Sequence, residues 1–318
     1  MSQVRFDGRV AIVTGAGGGL GRTYALDLAR RGAAVVVNDL GGSFDGKGSS
    51  TSMADQVVEE ISKAGGKAAA SYDSVASAAG GEAIVRKALE TFGRVDVLIN
   101  NAGTLRNAPV DELPDATLEA MIDVHLKGAF HVTRPAYRHM KQQRYGRILF
   151  ASSAAGMLGN DEQAAYGAAK AGLVGLMNVL SQEGRAYNVL CNALLPTAAS
   201  RMAQAMPAWE MEKVGALFQT AGDQLGNSGN PEFVTPLVTY LVSEACTSTH
   251  ALYSATMGRY ARVFIGMTHG WMGPRTTPAT AEDVAAHFAE VCRTDRYFIP
   301  ESLTDEFVHL IGRMQQGA

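Results

Sequence analysis

The chain has 318 residues, 47% hydrophobic and 19% charged, with a net charge of −3. That balance fits a globular protein with a sizeable core; there is no basic stripe for nucleic acid and no apolar run of the roughly 18 residues a membrane span needs. Three widely spaced cysteines, Cys191, Cys246 and Cys292, suggest neither a disulfide framework nor a metal site and fit a reducing, cytoplasmic setting. The first residues lack the apolar core of a signal peptide, and the ending "RMQQGA" is not a peroxisomal address.

In chain order, "RVAIVTGA" reads as a buried strand running into a glycine loop, "LGRTYALDLARRG" as a helix and "AAVVVND" as a second buried strand. "SMADQVVEEISKAGG" has helical spacing, "KAAASYD" is a weaker third strand, "GEAIVRKALETFG" a helix and "VDVLINNAG" a fourth strand. A long helix is expected over about 115–142, a fifth strand at "GRILFASS", a helix over 164–184 and a sixth strand at "NVLCNALLP". Strands apolar on both faces, alternating with helices, predict an α/β fold with a doubly wound parallel sheet, the Rossmann arrangement.

Residues 197–230 show no clear strand. Placed after strand six, they would cover a ligand beyond the carboxyl ends of the strands, or form a surface loop. Met202, Met206, Trp209, Met211, Leu217 and Phe218 would suit a large apolar ligand or pack against a partner subunit. A helix is expected from Pro231 through "PEFVTPLVTYLVSEA", a last strand at "RYARVFIG", and helices over 279–292 and 302–315. The expected organisation is one domain over 1–270 and a mainly helical extension over 271–318.

"TGAGGGLG", Thr14 to Gly21, lies between the first strand and the first helix. Gly15, Gly19 and Gly21 allow a tight turn and a close approach of backbone to a pyrophosphate, which would meet free N–H groups at the helix terminus. In this strand–turn–helix context the motif predicts a dinucleotide site. Asp39, about twenty residues on, would accept hydrogen bonds from ribose hydroxyls and repel the extra phosphate of NADP, so NAD is the expected cofactor. Alternatively Asp39 caps the loop "LGGSFDGKG", whose Lys47 could take a phosphate. Asp73 with Ser74 is placed to meet the adenine, and "NNAG", including Asn101 and Gly103, to pass beside the cofactor; as turn-forming residues they could equally stabilise loops.

Tyr166 and Lys170 in "AAYGAAKAG" are i and i+4, on one helix face. A phenol titrates near ~10; a neighbouring ammonium would lower that value and let the tyrosine exchange a proton with an alcohol or ketone oxygen. The surrounding small residues would leave room for cofactor and substrate. Ser153, thirteen residues earlier at the end of strand five, would orient the reacting oxygen.

On T-G-x-x-x-G-x-G at 14–21, N-N-A-G at 100–103, Ser153 and Y-x-x-x-K at 166–170, the chain resembles the short-chain dehydrogenase/reductase family over about residues 5–265. The resemblance implies Ser153, Tyr166 and Lys170 as the catalytic set. It implies cofactor binding by Gly15, Gly19, Leu20, Gly21, Asp39, Asp73, Ser74, Val75, Asn101, Gly103, Tyr166, Lys170 and Pro196. "VVVNDLGG", "VHLKGAFHVTR", "YGRILFASSAAG" and "SRM" are similar, more narrowly, to the (3R)-hydroxyacyl-CoA dehydrogenase units of the type 2 multifunctional β-oxidation enzymes. That likeness implies an acyl-CoA substrate of fatty or steroid type, a homodimer (or tetramer) and a separate hydratase. A free hydroxysteroid or a carrier-bound ketoacyl group is the alternative substrate. Two positions depart from the wider family. His125 stands where an asparagine usually supports a proton-relaying water, though the narrower relatives share the histidine, and Pro196-Thr197 replaces Pro-Gly. Arg106, Arg201 and Lys213 are candidates for the CoA phosphates.

Overall fold

The computed structural model describes residues 3–43, 45–199 and 226–315. The chain divides into two compact units, Met1–Arg262 and Val263–Ala318.

In the first unit, strands β1 (Val10–Thr14), β2 (Ala34–Asn38), β3 (Lys67–Ser71), β4 (Val97–Asn100), β5 (Gly146–Ala151), β6 (Val189–Thr197), β7 (Ala251–Thr256) and β8 (Arg259–Val263) form one sheet in the order β3-β2-β1-β4-β5-β6-β7-β8. Every pairing from β3 to β7 is parallel. The helices are α1 (Gly19–Arg30), α2 (Ser52–Lys63), α3 (Ala78–Phe92), α4 (Asp115–Met121), α5 (Gly128–Gln143), α6 (Ala154–Leu158), α7 (Ala164–Gly184) and α8 (Thr235–Leu241). Val10–Val13, Val35–Val37 and Val97–Ile99 are all buried, as strands covered on both faces must be. Between β1 and β4 the strand order reverses, and a crevice opens at their carboxyl ends.

Three elements differ from expectation. The long helix is interrupted by a π-helical stretch, Ile122–Lys127, between α4 and α5. The segment from Pro231 begins as a 3₁₀ turn, Pro231–Phe233, before α8. "RYARVFIG" does contain the last strand of the large sheet, β8, but a further strand, β7, precedes it. The two are joined by Met257-Gly258, with φ of 50° and 80°, the two positive values a two-residue hairpin turn requires.

In the second unit, β9 (Met267–Thr268) pairs antiparallel with β10 (Tyr297–Phe298). Its helices are α9 (Ala281–Ala286), started by a capping box of Thr280 and Asp283, α10 (Phe288–Val291) and α11 (Leu303–Gln315). Met202, Met206, Trp209, Met211, Leu217, Phe218, Arg201 and Lys213 lie outside the described residues.

Candidate active site

The turn after β1 is shaped by its glycines. Gly15 has a φ of 63°, and a Cβ on it would come within 2.8 Å of Ala102 Cα. On Gly21 a Cβ would lie 2.2 Å from Gly15 O, so only glycine lets α1 close on the turn. Gly19, with a φ of 50°, has nothing within 4 Å of that position and leaves the backbone open to the cleft. No side chain caps α1 and its first turn has no acid, so its leading N–H groups suit an anion. Thr14 ties the neighbouring turn down: its Oγ1 accepts from the N–H groups of Asn101 and Ala102, each at 3.0 Å. Asn101 Nδ2 donates to Thr14 O and Gly15 O at 3.0 and 3.1 Å.

The crevice is open at its mouth, with about 1110 Å³ of unfilled space when the open solvent there is counted. Gly15, Gly19, Leu20, Gly21, Asp39, Asp73, Ser74, Val75, Asn101 and Gly103 all line it. Pro196, Tyr166 and Lys170 do not: Pro196 lies in β6 opposite Ala255, and Lys170 lines a small cavity that shares Val75, Ala102 and Val124 with the cleft. Ala102, within the "NNAG" run expected beside the cofactor, lines the cleft as well. Sequence reasoning did not name Leu40, Gly42, Ser43, Gly46 and Thr104, which also line it; for the first four the only signal was the glycine content of "LGGSFDGKG".

Asp39 organises its surroundings. Its carboxylate accepts from Gly17 N–H at 2.8 Å and Gly41 N–H at 2.7 Å, which is the loop-capping role, and it still faces the cleft. Lys47 is engaged by Asp45 at 3.0 Å. Hydrogen bonds from Ser43 and then Lys47 hold the Asp45 carboxyl at about 2. Asp73 is held by Ser71 Oγ, which donates to it at 3.0 Å, and Asn38 Nδ2 donates to Asp73 O at 2.9 Å.

Ser153, Tyr166 and Lys170 converge. Ser153 caps α6, its Oγ accepting from Ala155 N–H at 3.2 Å, and its hydroxyl lies near enough to the Tyr166 phenol to favour the phenolate. Lys170 is buried, its Nζ 5.6 Å from the centre of the Tyr166 ring and donating to Ala151 O at 2.6 Å. Two of the glycines of α7 serve packing. A Cβ on Gly172 would lie 2.9 Å from Leu126 Cδ1, and one on Gly167 would lie 3.1 Å from Ala155 O.

The expected lowering of the Tyr166 pKa by its lysine is not what the structure shows. Burial raises the phenol above its usual value, and the Ser153 hydroxyl offsets this only in part. Burial also brings Lys170 down from 10.5 to about 7. Desolvation outweighs charge attraction here because the ammonium itself is costly to keep inside.

His125 sits on the π-helical stretch, 2% exposed, with its ring edge-on to Tyr166 at 5.1 Å. Its Nε2 is 2.7 Å from Thr104 O and 3.3 Å from Thr104 N. The shorter contact places the proton on Nε2, which donates to the carbonyl. Nδ1 is then a buried acceptor with no partner among the described residues. Burial first, and the Lys170 charge second, hold the imidazole well below 6.5, so it is neutral. A small cavity touches both His125 and Lys170. Gly103 is obligatory beside this ring: its Cβ would fall 2.5 Å from His125 Cε1.

Residues 9–211 match the short chain dehydrogenase family. The chain is 44% identical over 305 residues to the mouse (Mus musculus) peroxisomal multifunctional enzyme type 2, covering 96% of this chain and 39% of that one. It is 43% identical over 259 residues to the Saccharomyces cerevisiae peroxisomal hydratase-dehydrogenase-epimerase, covering 81% of this chain and 27% of that one. The chain thus spans well under half the length of both relatives. Among solved structures, a 7α-hydroxysteroid dehydrogenase complexed with NADH and 7-oxo glycochenodeoxycholic acid superposes with a TM-score of 0.69 at 26% identity, covering 80% of this chain and 95% of that one.

Proposed function

Because this chain belongs to the short-chain dehydrogenase family, whose members include a neighbour holding NADH, we propose that it oxidises a (3R)-3-hydroxyacyl-CoA to the 3-ketoacyl-CoA with NAD⁺. The observation that carries this reading is the convergence of Ser153, Tyr166 and buried Lys170, the last lining a small cavity that shares Val75, Ala102 and Val124 with the glycine-lined cleft. The residues fit a nicotinamide dinucleotide: an uncapped helix terminus for the pyrophosphate, a carboxylate at the far end, and a turn that admits no side chain.

When bound, the nicotinamide supplies the hydride acceptor or donor. Tyr166 takes the hydroxyl proton of the alcohol and returns it to the ketone oxygen in the reverse direction. Ser153 orients that oxygen. Lys170, with a pKa of about 7, is partly charged at neutral pH and in that form favours the phenolate. Asp39 as acceptor, with Lys47 already paired to Asp45, supports NAD over NADP.

The acyl substrate draws on the relatives. A hydratase makes a hydroxyl that a dehydrogenase then oxidises, and the yeast relative's name carries both activities. A homodimer belongs to the same reading, and the exposed Phe130 and Val179 of α5 and α7 give it an apolar surface. The free cysteines suit a reducing compartment such as the cytoplasm. The steroid-binding neighbour favours a free hydroxysteroid as the second reading.

The test follows reduced nicotinamide with matched (3R)- and (3S)-3-hydroxyacyl-CoA, using NAD⁺ and NADP⁺ in parallel. Turnover of the (3R) form with NAD⁺ alone is expected. Turnover of a free hydroxysteroid and of neither acyl-CoA would transfer the function to the second reading, and preference for NADP⁺ would overturn the role of Asp39.

A further inference from the structure

The described residues 39–43 and 45–51, between β2 and α2, belong to a compact loop with closely spaced ends. Its base is closed by Ser50 N–H donating to Leu40 O at 3.0 Å. At its tip, Ser43 N–H donates to Lys47 O at 2.9 Å and Gly46 N–H to Ser43 O at 3.0 Å. Gly41, Gly46 and Gly48 carry φ of 75°, 81° and 73°, so the shape depends on left-handed backbone that glycine adopts freely. Leu40, Gly42, Ser43 and Gly46 wall the cleft from this side and Thr104 from the loop after β4.

The two walls touch. Arg106 Nε donates to Asp45 O at 2.8 Å. A Cβ on Gly46 would lie 3.0 Å from Thr104 Cγ2 and 3.6 Å from Thr104 Cβ. The Lys47 charge is taken up by Asp45 at 3.0 Å, so the tip offers steric cover more than a cation for phosphate.

We propose that this loop is a strap across the cofactor cleft, latched by Arg106 to the opposite wall, and that its release limits exchange of the nicotinamide dinucleotide. The proposal rests on the reading of the cleft as the cofactor site. A guanidinium bonded to a carbonyl is stronger than a neutral pair, and this one ties the β2–α2 loop to the loop after β4, from each of which residues line the cleft. The glycines at the base provide the pivots. Thr104, which the strap meets, also receives the His125 Nε2 proton at its carbonyl, so the latched wall is continuous with the contact that carries the Tyr166 ring.

The test is stopped-flow displacement of NADH, read by its fluorescence. Arg106→Ala should raise the dissociation rate roughly ten-fold, the loss expected for one charged hydrogen bond, with Arg106→Lys between the two. The pair Gly46→Cys and Thr104→Cys places its Cβ atoms within the ~3.5–4.5 Å that a disulfide spans. Oxidised, it should hold NADH in or out, and reduction should restore exchange. Wild-type dissociation in Arg106→Ala, or equal exchange in oxidised and reduced forms of the pair, overturns the strap. If the wild-type protein binds no NADH, the cofactor reading fails instead. The latch is then read without ligand: amide exchange over 41–48 should quicken several-fold in Arg106→Ala, and unchanged exchange refutes it.

Discussion

Lys170 gives the sharpest test of the site's electrostatics. Its amine is buried, donates to Ala151 O and titrates near about 7 in the fold instead of 10.5. Between those values the unfolded chain binds a proton that the folded chain does not, so stability rises with pH across that window. Each pKa unit is worth about 1.36 kcal/mol. From about pH 7.5 to 9.5 the wild-type protein should therefore gain roughly 2 kcal/mol that Lys170→Met lacks. Urea unfolding of both proteins across this range, read by tryptophan fluorescence and circular dichroism, measures the difference. The buried thiols Cys191 and Cys246, raised in the fold, titrate on unfolding within this range and lower the stability of both proteins alike, so the difference between the two is the quantity read; the range stops below the pH at which the buried phenols, Tyr24 above all, would do the same. Parallel curves for the two proteins would refute the argument, because they would mean that Lys170 keeps its proton in the fold. Replacing a buried charge with an apolar group of similar volume is often neutral or stabilising, so the variant should fold and the comparison remain readable.

Tyr166→Phe should bind NADH within a factor of about two of wild type and lose roughly 10²–10⁴ in turnover, measured by fluorescence titration and steady-state kinetics. Gly21→Ala forces a Cβ to 2.2 Å from Gly15 O; thermal unfolding should show a loss of about 2–3 kcal/mol, and calorimetry a loss of NADH binding. Asp96 is wholly buried and accepts from Arg9, from Arg94 twice and from Val10 N–H. Asp96→Asn should cost about 3 kcal/mol in chemical denaturation, the low end for a broken buried ion pair, because Arg94 is half in solvent.

Strands β1 to β6 were legible because each is an apolar run bounded by a glycine or a helix signal. β7 was not: "ALYSAT" mixes Ser and Thr into the run, and its strand character comes from pairing with β6. The π-helical turn was invisible because "MIDVHLKG" reads as ordinary helix, and the extra residue per turn is set by packing around His125. Ser153, Tyr166 and Lys170 could be named from spacing, but spacing gives no dielectric; the burial that reverses the expected Tyr166 shift is tertiary. Lys47 could not be paired with Asp45, nor Arg106 placed on Asp45 O, from local pattern. The first depends on a turn held by glycine backbone, the second on a contact across sixty-one positions of chain.

The π-helical stretch also alters the phase of the helix that contains it. Residues before it, in α4, and within it pack against α7, whereas those after it, in α5, pack against α3. A regular α-helix advances about 100° per residue, so removing one residue between 122 and 127 would turn everything on one side of the cut by that angle. Either His125 would leave the Lys170 cavity, or the Val132–Ala136–Met140 stripe, buried to 0% exposure, would leave the core. The wide turn acts as a phase joint that lets one continuous rod satisfy two neighbours whose demands do not share a period. An insertion or deletion in this helix should therefore be tolerated only when the compensating change lies on the same side of the joint, so that His125 and the core stripe keep their phase.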